Sequence, residues 1–490
     1  MHFMQFVLSI DQGTTGTTAL IADENLKILS KQNVPFRQVF PKAGWVEHRG
    51  EDIWNSVRQA VTRCLEQSNL KANQIAAIGI ANQRETTGLF DSQGNLLHNF
   101  IVWQCRRSQA ICSEFREKGL EDQIRKKTGL LLDPYFSGTK LTWLFRKYPK
   151  FKNALFGTVD SWLLYKMSAG AVHATDATNA SRTLLMDLKT CEWDPELLDI
   201  FEVSKDCLPE IKSSSEVYAN TKGLDFLPDG IPIASLVGDQ QAALFAQACF
   251  KPGEAKATYG TGCFILLNTG EEPVFSQHGL LSSVALRTKE KTTYCLEASS
   301  FIAGAAIQWL KEQLGLISHV SEVEQLAKQC PDSAELVFVP AFSGLGAPYW
   351  KPEIRGSLMG ITRDSNKAQI ARAVLEGIAL LNQDMLVAMK EDAGALSLLK
   401  VDGGASANDL LMQLQADLAQ LPCLRSACLE TTALGALVLA GMAVGVFDSP
   451  DFLSKLSEGA TVFRPSMLDE ERDKLRKKWH DALHGLGAMG

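Results

Sequence analysis

The sequence lacks any block of basic residues. Its 490 residues include 49 lysines and arginines against 56 aspartates and glutamates, which gives a formal net charge of −7. A slightly acidic chain without a basic patch does not have the electrostatic footprint of a nucleic-acid-binding protein. We therefore expect no nucleic-acid partner.

Clustered cysteines are also missing. The eleven cysteines are scattered along the chain, none forms a C-x-x-C pair, and no histidine cluster accompanies them. This pattern argues against a zinc site and against the disulfide framework of a small secreted domain. We expect reduced thiols that serve as ordinary core and surface residues, and a cytoplasmic location.

Long hydrophobic runs are absent as well. The longest uncharged run, ALGALVLAGMAVGVF at residues 433–447, is shorter than the roughly 20 apolar residues that a spanning helix needs. It predicts a buried helix whose small residues allow close packing, and no stable membrane insertion. The first residues, MHFMQFVLSID, have neither the basic start nor the cleavage site of a secretory leader.

What the sequence does contain is an alternation of short apolar strands and amphipathic helices. FVLSID and TALIAD flank a Gly-Thr turn, and GEDIWNSVRQAVTRCLEQS has apolar residues at helical spacing. The second half repeats this organisation, with a strand–turn–strand segment at residues 254–270 and a helix over 367–393 that ends at Gly394. The pattern predicts an α/β fold in two related halves, residues 1–245 and 246–490.

Three glycine-rich turns follow predicted strands. They are Asp11 to Gly16 (DQGTTG), Gly260 to Gly262 (GTG) and Asp402 to Asn408 (DGGASAN). Glycine allows backbone N–H groups to converge on an anion, and threonine adds donors without charge. The first turn alone suits a simple hairpin equally well, but three such turns favour a nucleotide held between two halves. Neither a P-loop nor a G-x-G-x-x-G fingerprint is present.

An acid stands directly before the first turn. Because like charges repel, Asp11 cannot contact a phosphate directly. It can do so through Mg²⁺, which prefers one or two carboxylates together with waters and phosphate oxygens. Asp11 is therefore a candidate magnesium ligand.

A second set of polar residues indicates a site for a hydroxylated substrate. Arg84 and Glu85 follow an apolar strand, and such a pair can donate to and accept from vicinal hydroxyl groups. Asp239 and Gln240 follow another strand at the start of a predicted helix, where an acid serves as a helix cap or as a general base. The alternatives for Arg84–Glu85 and for Trp103 are a surface ion pair and a core tryptophan.

These segments together resemble the FGGY family of carbohydrate kinases. The resemblance covers about residues 5–465 and rests on the turn after Asp11 and on NQRETT, WQCRR, DPYFSGTK, TDATNASRT, GDQQAALF, YGTGCF, AGAAIQWL, VPAFSGLGAPYW and VDGGASAN. The NQRETT and GDQQAALF blocks are similar to those of family members that phosphorylate glycerol. The resemblance implies two actin-like (ribonuclease-H-like) ATPase domains with the active site in the cleft between them.

The same resemblance implies an activity and assigns residues to it. The implied reaction moves the γ-phosphoryl group of ATP to the 3-hydroxyl group of glycerol and releases ADP, with Asp239 as the general base and Mg²⁺ at Asp11. The matching glycerol-site residues are Arg84, Glu85, Trp103, Tyr135, Asp239, Gln240 and Phe264. The matching nucleotide-site residues are Thr14, Thr15, Gly16, Thr261, Gly304, Gln308, Gly404 and Asn408. A homodimer or homotetramer is expected.

Two positions depart from the family pattern. The family's first loop reads D-Q-G-T-T-S-S-R, with an arginine that meets the phosphates, and here Thr18 takes the place of that arginine. The segment NTKGLDFLPDGIPI has no arginine where some relatives bind fructose 1,6-bisphosphate, so we expect no such regulation. The alternatives are a family kinase for a larger sugar or polyol, and a non-catalytic actin-like ATP-binding regulator.

Overall fold

A computed structural model describes residues 4–426, 430–457 and 459–489 of the chain. The first three residues of the N-terminal segment MHFMQFVLSID lie outside these ranges. The strands in the first half are β1 (Phe6–Gln12), β2 (Gly16–Asp23), β3 (Ile28–Pro35), β4 (Glu47–His48), β5 (Ile75–Asn82), β6 (Gly88–Phe90), β7 (Phe100–Ile101), β8 (Leu155–Gly157), β9 (Ala174–Asp176), β10 (Met186–Asp187), β11 (Glu192–Trp193), β12 (Glu210–Lys212), β13 (Ser215–Asn220) and β14 (Pro232–Gly238). Those in the second half are β15 (Glu254–Tyr259), β16 (Cys263–Gly270), β17 (Leu281–Arg287), β18 (Thr292–Ser300), β19 (Val337–Val339), β20 (Ser357–Met359), β21 (Leu398–Asp402), β22 (Cys423–Arg425) and β23 (Thr461–Phe463).

Helices connect and cover these strands. They are α1 (Gly50–Ser68), α2 (Gln109–Glu117), α3 (Glu121–Thr128), α4 (Ser137–Lys147), α5 (Val159–Met167), α6 (Ala177–Ala180), α7 (Pro195–Ile200), α8 (Asp239–Ala246), α9 (Gly304–Glu312), α10 (Glu322–Ala327), α11 (Lys367–Ala393), α12 (Asp409–Ala419), α13 (Thr431–Ala443) and α14 (Asp469–Gly485). Short 3₁₀ turns include residues 404–407, which follow β21. None of the helices in the described ranges is long and apolar enough to cross a membrane.

Two large sheets share the arrangement of six strands, and the second sheet has β17 in addition. In the six-stranded sheet the order is β13-β14-β5-β1-β2-β3, and in the seven-stranded sheet it is β17-β18-β16-β15-β21-β22-β23. Each sheet opens with an antiparallel hairpin, β1–β2 or β15–β16, whose first strand pairs in parallel with a later strand, β5 or β21. The duplicated architecture predicted from the sequence is confirmed, and it places corresponding strand ends at corresponding edges of the two sheets.

The predicted local elements agree with the structure. Helix α1 covers residues 50–68 and buries its apolar stripe, while α11 ends at Ala393 because Gly394 adopts a left-handed conformation with φ of 73°. The charged C-terminal segment forms α14, which is mostly exposed but buries Trp479 and Leu483. Both Gly-Thr turns join antiparallel strands, as the sequence predicts.

The small-residue run near the C-terminus forms a buried helix, α13, as predicted, although it ends at Ala443. It packs on the first sheet, against β1, β5 and β14, and against α8. Its approach is close because β5 and α13 each contribute a glycine: a Cβ atom at Gly79 would lie 2.1 Å from the Ala436 carbonyl oxygen, and one at Gly435 would lie 2.1 Å from that of Ala242. A helix from the second half of the chain thus completes the core of the first sheet.

Candidate active site

The turn between β1 and β2 is tight and faces polar neighbours. The Gly13 N–H group donates to the Gly16 carbonyl oxygen over 3.0 Å, and the Gln83 side chain also donates to the Gly13 carbonyl oxygen. The Thr15 side chain is exposed, and the Thr14 hydroxyl group accepts from the indole of Trp103 over 3.0 Å. This turn is therefore held beside the residue expected to line the substrate site.

The second and third glycine-rich turns lie against each other. The Gly304 N–H group, at the start of α9, donates to the Gly260 carbonyl oxygen, and the Ala305 N–H group donates to that of Thr261. A Cβ atom on Gly304 would be 3.6 Å from the Ala405 Cβ atom, so the segment after Gly404 reaches the same place. The structure brings these expected nucleotide-site residues together at one edge of the second sheet.

The remaining two expected nucleotide contacts lie on flanking helices. Gln308 is exposed and stands one turn after Gly304 on α9. Asn408 caps α12, where its side-chain oxygen accepts from the Leu411 N–H group over 2.8 Å. Gln308 and Asn408 thus lie on helices that begin next to the glycine-rich turns of the second sheet.

Thr18, which stands where the resemblance gives an arginine, lies on β2 with 9% of its surface exposed. Its hydroxyl group accepts from the Asn33 side chain over 2.9 Å. Thr18 and Asn33 are directly opposed in the β2–β3 register. The position is thus filled by a neutral pair rather than by a cation.

Asp11 is surrounded by other acids. Burial, together with the nearby charges of Asp239 and Glu430, raises its pKa to about 8. A carboxylate in such surroundings is stabilised by a cation more than by any neutral ligand, because a cation offsets both the desolvation and the repulsion. Among the described residues no three carboxylate, histidine or cysteine side chains lie together as a metal-binding group. Asp11 would therefore suit Mg²⁺ as a single carboxylate ligand, with waters and phosphate oxygens as the other ligands.

Arg84 and Glu85 are buried, at 3% and 1% exposed, so the surface-ion-pair alternative is wrong. Arg84 forms a two-point ion pair with Glu297 of β18, with N–O distances of 2.5 and 3.0 Å. Arg182 donates to Glu85 over 2.6 Å and to Glu297 over 3.0 Å. Two cations and two anions thus compensate each other in one buried network.

The network controls the charge of Glu297. Burial raises the pKa of this carboxyl group, but Arg182 and Arg84 lower it to about 2. Glu297 is therefore ionised, and the guanidinium group of Arg84 is held in a fixed orientation with its Nε atom 3.4 Å from Asp239 Oδ1. That geometry leaves Arg84 pointing at the residue expected to be the base.

Three aromatic side chains form one wall of the cleft. The ring of Trp103 lies 5.6 Å from that of Tyr135 and 6.2 Å from that of Phe264, both edge to face. Trp103 is only partly buried, so the alternative of a core tryptophan is wrong for this residue. Carbon-bound hydrogens of a small polyol would pack on such a surface while its hydroxyl groups turn to the charged residues.

Tyr135 is fixed in this wall by its own loop. The ammonium group of Lys140, one turn into α4, donates to the carbonyl oxygens of Pro134, Tyr135 and Phe136. Arg84 Nη2 lies 3.5 Å from the Tyr135 hydroxyl oxygen. The buried lysine thus orders the loop that presents Tyr135.

Asp239 is the first residue of α8, directly after Gly238 at the N-cap position, and its Oδ1 atom accepts from the Gln240 N–H group over 2.7 Å, so it also satisfies a backbone donor of the first turn as a cap does. Its side chain is 26% exposed and thus open to the cleft. Burial raises its pKa above the ordinary range, while Arg84 and Lys256 lower it in part. A carboxylate with a raised pKa at a cleft is suited to accept a proton.

Several residues at this site were not predicted from the sequence. Arg182 and Glu297 complete the charge network, Lys256 binds the side chain of Gln240, and Thr431 and Thr432 at the start of α13 donate to Asp402 and Asp239. Arg182 lies in the TDATNASRT block, and the further signals are a charge inside an apolar strand (YCLEASS) and a Thr-Thr pair before the small-residue helix. Neither pattern points to a partner.

Comparison with known proteins agrees with this geometry. Residues 6–246 match the N-terminal domain of the FGGY family of carbohydrate kinases, and residues 255–444 match the C-terminal domain. The chain is 50% identical to a glycerol kinase from Myxococcus xanthus, an alignment that covers 98% of this chain and 99% of that protein. It is 47% identical to glycerol kinase 2 of Thermotoga maritima, with 98% of both proteins covered.

The fold comparison gives the same result. The structure of Plasmodium falciparum glycerol kinase with ADP matches with a TM-score of 0.92 and 37% identity, over 99% of this chain and 98% of that one. A gluconate kinase from Lactobacillus acidophilus shares the fold, with a TM-score of 0.89 at 24% identity and 99% of both chains covered. The predicted two-domain actin-like fold and the predicted family are therefore confirmed. With both domain models matched in order along one chain, this protein belongs to the FGGY family of carbohydrate kinases.

Proposed function

We propose that the chain transfers the γ-phosphoryl group of ATP to the 3-hydroxyl group of glycerol, which yields sn-glycerol 3-phosphate and ADP. One observation supports the proposal most directly: Arg84, Glu85 and Asp239 lie together next to the aromatic wall and the Gly-Thr turns. The full-length similarity to glycerol kinases supports it.

In this proposal the substrate hydroxyl groups bind Arg84, Glu85, Tyr135 and Gln240, and its carbon chain lies on Trp103 and Phe264. The partners of Arg84 and Glu85 are already in place, so binding glycerol requires little rearrangement of the charges.

Asp239 acts as the general base in the transfer step. Its carboxylate takes the proton of the 3-hydroxyl group as that oxygen forms a bond to the γ-phosphorus, and the bond from the γ-phosphorus to the bridging oxygen of ADP breaks. General-base assistance of this kind contributes about 10²–10⁴-fold to the rate. Arg84, whose Nε atom is 3.4 Å away, orients the carboxylate.

The nucleotide lies between the turns of the two sheets. Thr14, Thr15 and Gly16 present donors to the phosphates from one side, and Thr261, Gly304, Gln308, Gly404 and Asn408 bind the rest of the nucleotide from the other. Asp11 holds Mg²⁺, which when bound neutralises charge on the β- and γ-phosphates. Closure of the cleft excludes water, which otherwise competes with glycerol as acceptor.

The assay that tests this proposal measures ADP release with glycerol, dihydroxyacetone, erythritol and xylulose, each with and without Mg²⁺. We expect the highest kcat/KM with glycerol and loss of turnover without Mg²⁺. A higher kcat/KM with xylulose would identify a different kinase of the family. Nucleotide binding without turnover on any acceptor would instead favour the non-catalytic regulator.

The cellular setting follows from the same chemistry. An ATP-dependent kinase needs the ATP pool of the cytoplasm, and the ten cysteines among the described residues are all free thiols. We place the protein in the cytoplasm on these grounds. A homodimer or homotetramer stays a prediction, which light scattering of the purified protein would test.

A further inference from the structure

Two buried lysines lie under helix α8, one toward each of its ends. Lys256 of β15 and Lys400 of β21 are direct partners in the parallel register, and they are 0% and 8% exposed. The Lys400 ammonium group donates to the carbonyl oxygens of Gln247 and Ala248, just past the end of α8. The Lys256 ammonium group donates instead to the side chain of Gln240, the second residue of α8, and to the Thr258 hydroxyl group.

The two lysines have opposite relations to the helix dipole. The carboxyl end of a helix carries partial negative charge, so Lys400 stabilises it while satisfying two carbonyl groups. The amino end carries partial positive charge, which repels a cation such as Lys256. Burial of an ammonium group adds a desolvation cost at both positions. Helix stability therefore accounts for Lys400 but not for Lys256.

Charged groups from four elements face Lys256. They are Asp239 on α8, Asp402 at the end of β21, Glu297 on β18 and Arg84 in the turn after β5. Burial lowers the pKa of Lys256, while Asp402 and Asp239 raise it in part. The carboxylates therefore offset part of the cost of burying the ammonium group, although its pKa stays below the ordinary value. All four also belong to, or border, the site described above.

We propose that Lys256 is a positioning residue of the glycerol site: its ammonium group, which also donates to the Thr258 hydroxyl group, holds the Gln240 side-chain oxygen and so fixes Gln240 for the substrate. This inference rests on the proposed function. Without the ammonium group, the Gln240 side-chain oxygen loses its charged donor and rotates freely at the mouth of the cleft. The ammonium group of Lys256 thus destabilises the start of α8 but fixes Gln240 as a substrate ligand.

The test compares Lys256→Met with the matched variant Lys400→Met. Both remove a buried ammonium group from the same register pair. We expect Lys256→Met to lower kcat/KM for glycerol by about 10- to 100-fold, the usual effect of losing a charged hydrogen bond. Its melting temperature should equal or exceed that of the original protein. Lys400→Met should melt at a lower temperature and keep its kcat/KM for glycerol.

A double-variant cycle shows whether Lys256 acts through Gln240. If it does, Lys256→Met combined with Gln240→Ala lowers kcat/KM no further than the stronger single variant. Lys256→Arg keeps the charge and the donors, so it should recover part of the kcat/KM that Lys256→Met loses. If Lys256→Met does not fold, Lys256→Arg takes its place in the cycle. Additive effects in the cycle would overturn the proposal, and so would a Lys256→Met variant with original activity.

Measurements of ADP binding distinguish a failure of the positioning role of Lys256 from a failure of the proposed function. Calorimetry without glycerol should give the same dissociation constant for the original protein and Lys256→Met, because the contacts of the Gly260 turn with Gly304 remain. If the original protein has no activity with glycerol, the proposed function fails at that step, whatever the variants do. If it is active and Lys256→Met loses ADP affinity and melting temperature together, Lys256 is merely structural and the positioning role is wrong.

Discussion

At the scale of single residues, the site depends on charges that compensate each other. Arg84, Glu85, Arg182 and Glu297 are all nearly inaccessible to water, and each contacts a group of opposite charge. Removing one member leaves a buried charge that the others no longer balance, which costs about 3–5 kcal/mol. Substitutions in this network therefore lower stability as well as activity, and they are poor probes of chemistry.

Asp239 is a better probe because its side chain is partly open to the cleft. We expect Asp239→Asn to abolish phosphorylation of glycerol, with kcat reduced by about 10²-fold or more, because an amide cannot accept the proton. Nucleotide binding should persist, since the glycine-rich turns are unchanged. Steady-state kinetics and ADP calorimetry on the same preparation measure both effects.

The control for this substitution is Asp225→Asn. Asp225 is 63% exposed and pairs with Arg58 over 3.3 Å. The control substitution therefore removes the same negative charge, but from the surface of the protein. Its kcat should stay at the original value. Turnover of Asp239→Asn within a few-fold of the original protein would show that another group takes the proton.

At the scale of elements, the sequence predicted most of what is local. Helix α1 and the stop of α11 at Gly394 follow from apolar spacing and from a glycine at a left-handed position. The hairpin turns follow from Gly-Thr clusters between apolar strands. Helix α6 was not predicted, because four residues are too few to show helical periodicity. The role of Asp176 as its N-cap is visible only from the hydrogen bonds that its side chain accepts in the structure.

The carboxyl end of α11 shows an element stabilised from outside. Glu391 and Asp392 oppose the helix dipole there. The imidazole of His278, from the loop before β17, contacts Asp392 over 2.7 Å and Glu391 over 3.5 Å. Hydrogen bonding to Asp392, together with both acidic charges, raises the pKa of His278 above its ordinary value. The protonated imidazole therefore ties this loop to the helix end.

His278→Gln should lower stability only below neutral pH. A histidine whose pKa is raised by folding stabilises the folded state fully below its unfolded-state pKa of about 6.5, and this contribution disappears as pH rises through the folded-state pKa. We expect a loss below about 1 kcal/mol, because the imidazole is 46% exposed. Urea unfolding at acidic and at alkaline pH measures it.

His319→Gln is the matched control. The imidazole of His319 contacts the hydroxyl group of Ser321 over 2.8 Å instead of a carboxylate. Its substitution should have the same small effect at both pH values. An equal loss for His278→Gln at acidic and alkaline pH would mean that its contact with Asp392 does not depend on protonation.

At the scale of the whole molecule, the site could be predicted only in part. Arg84, Asp239 and the glycine-rich turns stand at strand ends and are visible in local patterns. Glu297 and Arg182 lie 213 and 98 positions beyond Arg84 in the chain, and only the packing of β18 and of the segment after α6 brings them to it. The same holds for α13, whose small residues predicted burial but not which sheet it would cover.

Helix α13 links the core of the first sheet to the site. Its first residue, Thr431, donates to Asp402 over 2.6 Å, and Thr432 donates to the backbone oxygen of Asp239 over 3.5 Å. Its middle contacts α8 and β5 without room for a further carbon atom at Gly435 or Gly79. Any displacement of α13 is therefore transmitted to both Asp402 and Asp239.

Gly435→Ala tests this link. The new Cβ atom would lie 2.1 Å from the Ala242 carbonyl oxygen, so α13 and α8 must separate, at a cost of about 1–3 kcal/mol. Because α8 begins with Asp239, we expect kcat to fall together with the melting temperature. Gly485→Ala, at the end of α14 with its nearest neighbour 3.9 Å away, should instead raise stability by a few tenths to about 1 kcal/mol and leave kcat unchanged. If Gly435→Ala lowers the melting temperature and kcat stays at the original value, α13 supports the fold without setting the position of Asp239.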